Sequence, residues 1–271
     1  MGISRYVQFM GARRIEEADS ERLISLRDRA LKWLSLGLAD FDGKNLDRGI
    51  VDSVNALARL QLLTDQTDKA QKILLGGKGL LPALEKQPDV VQAEVAMESY
   101  RTATQVVAAE LVNDKLGADA AVKQMRGYVA KLQALAAESP DGEKKLAGIF
   151  LGLAKDLKEK LSGTEALAKR AKLSEAILLV VTEAGNSESF NTQYWAADTI
   201  VSIAEEMASE KSLSAKAAPA FAKAEQALQQ ILAKEQEQPG WIQPEGFETK
   251  IRLLKARAQI GSGDYQDAVL G

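Results

Sequence analysis

The stretch IRLLKARAQIGSGDYQDAVLG, residues 251–271, reads as one helix, a Gly-Ser-Gly turn at 261–263 and the opening residues of a second helix from 264. Apolar residues recur at helical spacing before the turn, and a glycine pair breaks the pattern. A helix that has only begun cannot bury an apolar face of its own. The expectation is therefore a repeat array of helical hairpins, cut from a longer protein with neighbouring repeats.

Working outward, the same period fills the chain. AAVKQMRGYVAKLQAL (120–135) places Ala121, Met125, Tyr128, Val129, Leu132 and Leu135 on one stripe. KKLAGIFLGLAKDLKEKL (144–161) does so with Leu146, Ile149, Phe150, Leu153, Leu157 and Leu161. Each stripe is the mark of a helix with one buried face. No stretch alternates as a strand does. Helices are expected over 4–17, 20–39, 45–64, 67–75, 89–113, 118–138, 143–161, 164–184, 188–210, 215–236 and 247–260, with a start at 264. Ser162-Gly163-Thr164 followed by Glu165 reads as a cap with a first-turn acid. Short connections make neighbouring helices antiparallel. The fold class is all-α, with residues 1–271 as one array, a possible bend at 76–88 and an inserted loop at 238–246.

Composition narrows the function. The 271 residues include 35 Lys+Arg against 38 Asp+Glu, a net charge of -3, so no basic excess favours nucleic acid. There is no cysteine and no histidine. Disulfides, thiolate catalysis, Ser-His-Asp hydrolysis and the common zinc and di-iron sites are excluded with them. The expectation is a non-enzymatic chain with no metal and no cofactor. Apolar runs such as AILLVV (176–181) are too short to span a bilayer, so no direct membrane insertion is expected. Met1-Gly2 hints at myristoylation, but Tyr6 stands where that motif wants Ser or Thr. The compartment stays open, a soluble cytoplasmic chain being slightly favoured.

Several features have a plain structural reading. GGKG (76–79) lacks the Ser or Thr of a phosphate loop and reads as helix-capping glycine. Glu16-Glu17 and Glu205-Glu206 are adjacent and diverge around a helix. Gly148 and Gly152 read as a close helix contact, Tyr194-Trp195 as core, and Trp241 as a plug against a neighbouring hairpin.

The phrase ARLQL (58–62) returns as ARAQI (256–260), and in each copy a further alanine follows the first by 12 residues, at Ala70 and Ala268. Val54-x2-Leu57-Ala58-x2-Gln61, then Ala70-x3-Leu74, then Pro82 resembles the tetratricopeptide repeat, as do Gly263-Asp264-Tyr265-x2-Ala268 and Phe221-x2-Ala224-x3-Leu228. The resemblance implies antiparallel hairpins stacked into a right-handed α-solenoid of about 11–12 helices, with a closed multi-helix bundle as the alternative. It also implies a concave groove, lined by first helices, that binds a protein or peptide segment. The residue after the small alanine faces that groove in the family, which points to Arg59 and Arg257. Asn55 stands one turn before Arg59, and Lys250 about two turns before Arg257. Together they are the expected partner-binding residues of an interaction scaffold. The alternatives are a structural spacer in a large assembly and a carboxylate-based enzyme on helical hairpins.

Overall fold

The computed structural model describes residues 17–162, 167–186, 189–211, 213–243 and 246–263. The expected helix at 4–17, the cap at 163–165 and the start at 264 lie outside them, apart from residue 17. Among the described residues every regular element is helical and no strand occurs. The all-α expectation holds to that extent.

The elements are α1 Glu17–Gly37, α2 Arg48–Leu63, α3 Thr67–Leu75, α4 Leu80–Lys86, a single 3-10 turn Pro88–Val90, α5 Ala93–Val112, α6 Ala118–Ala137, α7 Gly142–Ser162, α8 Leu167–Ala184, α9 Phe190–Ser209, α10 Ser214–Glu237 and α11 Phe247–Ser262. Their contacts gather into two compact units, Met1–Gly117 with Ala130–Gly142, and Ala118–Val129 with Glu143–Gly271. The sequence alone reads as one continuous array.

In the first unit, α2 starts where the Asp47 carboxylate accepts the Ile50 amide at 2.8 Å, a side-chain cap on one of the four orphan N–H groups. Its apolar face of Val51, Val54, Leu57, Ala58 and Leu60 is buried. That face packs on α3 and α5, and α3 also packs on α5. The helix α1 adds a smaller contact, with Ala30, Leu31 and Leu34 gathered around Leu60.

The segment 76–88, expected as an irregular bend, contains α4. Pro82 is the third residue of that helix, inside the first turn, where the missing N–H has no intrahelical partner to lose. Leu80, Leu81, Ala83 and Leu84 are buried, so tertiary packing completes a helix too short to stand alone. Gly76 caps α3, as expected, but by close approach: a Cβ there would lie 2.4 Å from the Lys72 carbonyl oxygen.

In the second unit, α9, α10 and α11 pack against one another, and α8 packs on α9. The helix α11 runs through Gly261, expected in the turn, and stops at Ser262. A Cβ at Gly261 would meet the Phe221 ring at 2.5 Å. The Phe221 ring of α10 is buried against bare α11 backbone, so two helices approach as closely as a missing side chain allows. Gly148, read as a close contact, faces open space.

Candidate functional site

The residues singled out by the repeated phrase were expected on an open surface. Asn55 is not there. It is 4% exposed, and its side-chain amide donates to Ser99 Oγ of α5 at 2.9 Å. Arg59 is half-buried, its side chain 17% exposed. Its guanidinium pairs with Glu98 and donates through Nε to Thr102 Oγ1 at 3.1 Å. Both side chains of α2 therefore tie that helix to α5. The reason is geometric: α5 lies alongside the α2 face carrying positions 55 and 59, and it offers Glu98, Ser99 and Thr102 there.

The second copy of the phrase behaves differently. Arg257 is exposed and grips Glu205 of α9 at 2.7 and 2.8 Å. Lys250 is also exposed, its ammonium 4.7 Å above the Phe247 ring. Gln259, the counterpart of Gln61, is buried and donates to Glu225 of α10 at 2.9 Å. Three of the four predicted residues thus make cross-helix contacts, and Lys250 packs along its own helix.

A concave feature that the sequence did not single out lies between α7 and α9. Leu151, Gly152, Ala154, Lys155, Lys158, Trp195 and Thr199 line a groove of about 370 Å³. Trp195, expected in the core, is only partly buried and forms one wall. Gly152 lines the groove with no side chain of its own. Lys158 donates to Ser202 Oγ at 3.3 Å, and Lys155 stands exposed. Among the described residues the lining thus pairs an apolar shelf with two ammonium groups. Such a site suits an anionic group attached to an apolar or aromatic body. Its sequence signal was faint: Lys155 and Lys158 are i, i+3, and only the fold brings Trp195 opposite them.

Beside this groove-bearing helix sits an aromatic cluster. Phe190 meets Tyr194, Trp241 and Phe247, with ring centroids 5.5–6.1 Å apart, and Tyr194 meets Phe247 edge-on at 4.7 Å. Trp241 is a plug, as expected, and Lys234 lies 4.7 Å over its ring. The loop carrying it is fastened by Glu235, which accepts the amides of Gly240 at 2.7 Å and Ile242 at 2.6 Å. Those backbone donors hold the Glu235 carboxyl below the usual carboxylate range. Burial, joined by the charge of Asp198, pushes the Tyr194 hydroxyl upward.

Comparison with protein-family models, curated proteins and solved structures gives no match for this chain.

Proposed function

We propose that this chain is a non-enzymatic interaction scaffold, a tetratricopeptide-like stack of helical hairpins that captures a short segment of a partner protein. The single observation that supports this reading is the groove between α7 and α9. Its two lysines and its Trp195 shelf fit a segment in which an acidic residue stands beside a leucine or an aromatic. The packing of α11 on both α10 and α9, next neighbour and next but one, suits stacked hairpins. A carboxylate-based enzyme would need two carboxyl groups facing one cleft, a pair not found among the described lining residues.

The test is a fluorescence-anisotropy titration of labelled peptides that pair glutamate with leucine or phenylalanine. Lys155→Glu combined with Lys158→Glu is expected to weaken binding by about tenfold, the scale of two surface charge contacts, with an unchanged circular dichroism spectrum. Equal binding by this variant, or no binding by the wild-type chain, would overturn the groove reading.

A further inference from the structure

The helix α1 uses one side to pack on α2, through Ala30, Leu31 and Leu34. A second side carries Arg22, Leu26, Arg29, Trp33 and Leu36, at spacings of four, three, four and three residues. At about 100° per residue, all five fall within about 80° of the helix circumference. All are exposed: Trp33 is 69% accessible and Leu36 64%. A free tryptophan at this level of exposure is unusual for a surface with no partner, because its large ring gains most from being covered.

The charges within this stripe are cationic, with Asp19, three residues before Arg22, at its edge. Arg22 and Arg29 lie within it, and Lys32 flanks it. The acids Glu21 and Asp28 stand further round the helix, at about 100–120° from Arg22. Arg29 donates to Ser25 at 3.3 Å, within its own helix. We propose that this face of α1 docks an acidic amphipathic helix of a partner protein, its leucines covering Trp33, Leu26 and Leu36 and its carboxylates meeting Arg22 and Arg29.

The arrangement selects this occupant over others. A helix lying on a membrane keeps cations at the edges of an apolar face, where they reach the headgroups. Here the arginines alternate with the apolar residues inside the face, so burial in acyl chains would desolvate them, whereas interleaved carboxylates would satisfy them. A second copy would bring the same arginines against each other. Residues 1–16 carry Arg5, Arg13 and Arg14 against one acid, Glu16, so they have the wrong sign to cover the stripe. Tryptophan with arginine is also the composition of interface hot spots. This inference goes beyond the groove reading and does not rest on it.

The experiment uses the full chain and calorimetry with two synthetic helix-forming peptides. One places glutamate and leucine alternately along one face; the other has lysine for every glutamate. The glutamate peptide is expected to bind and the lysine peptide not to. Trp33→Ala should weaken binding by about tenfold or more, as for a hot-spot anchor. Arg22→Glu with Arg29→Glu should reverse the preference between the peptides. The Lys155→Glu, Lys158→Glu background removes the groove as a competing site for the same peptide. Trp33-dependent binding is expected to persist in it, and its complete loss there would place the peptide in the groove and overturn the α1 assignment. Equal affinity for both peptides, or an undiminished Trp33→Ala, would also overturn it. So would failure of the full chain to bind either peptide. Trp33-dependent binding to phosphatidylserine vesicles without peptide binding would replace it with a lipid surface, and a Trp33-dependent dimer in sedimentation with a second copy.

Discussion

Arg59 and Arg257 sit in the same five-residue phrase, and each reaches a glutamate on a different helix, but in opposite chain directions. Arg59 of α2 reaches forward to Glu98 of α5, while Arg257 of α11 reaches back to Glu205 of α9. Their surroundings differ as well. The first pair is largely withdrawn from water, with side chains 17% and 33% exposed, and Thr102 holds the guanidinium from a second side. In the second pair both side chains are close to half exposed. The phrase therefore fixes an arginine beside a small residue at a helix edge. The neighbouring helix decides what that arginine is worth, because screening by water and salt separates a structural clamp from a surface pair.

The comparison breaks if the two arginines prove energetically alike. Arg59→Ala should cost about 1–2 kcal/mol in urea unfolding, since it leaves the half-buried Glu98 with only Arg101, at 3.6 Å, as its cation and the Thr102 hydroxyl without this donor. Asn55→Ala should cost about 1 kcal/mol, for the lost bond to the fully buried Ser99 hydroxyl. Arg257→Ala should cost about 0.5 kcal/mol or less, and raising sodium chloride to about 1 M should erase that difference while leaving most of the Arg59 effect. A cost for Arg257→Ala equal to that for Arg59→Ala would end the distinction.

The smallest effect sharpens the contrast at a third carboxylate. Glu235 is held by backbone amides, and its folded-state pKa lies below the ordinary value of 4.5. Its fastening of the loop is therefore present above that value and lost as pH falls through the folded-state pKa. Protection of the Gly240 and Ile242 amides, taken as the ratio of intrinsic to observed hydrogen-exchange rate at each pH, should fall in acid. In Glu235→Gln they should exchange faster at neutral pH and lose that acid dependence, with little change in global unfolding.

What was legible in the sequence followed from periodicity. The stripe Ala121, Met125, Val129 and Leu132 is buried as read, and so are Ile149, Phe150, Leu153, Leu157 and Leu161. Period fixes which side of a helix turns inward, because it depends on one helix alone. It was silent on α4, whose seven residues are too few to show a period and whose proline, with the glycines just before it, reads as a breaker. The candidate residues needed more than one helix. Asn55 and Arg59 were assigned to an open surface because nothing local records that α5 lies across from them. Trp195 was assigned to the core because it shares a helix with Phe190, Ile200, Val201 and Met207, which are buried, and the groove beside it exists only when α7 is in place. Arg170, which binds Glu206 at 2.5 Å and Glu210 at 3.1 Å, is a third cross-helix clamp with no repeated phrase to announce it.

The three tryptophans have an optical consequence. Trp33 stands on the exposed stripe of α1, Trp195 walls the groove, and Trp241 is packed in the aromatic cluster. Each indole samples a different polarity, so the emission of the chain is a sum of three separable signals, red-shifted at Trp33 and blue-shifted at Trp241. Replacing two of them at a time with phenylalanine would turn the protein into its own set of probes, one for each surface and one for the knot that holds the 238–243 loop, with no foreign dye attached.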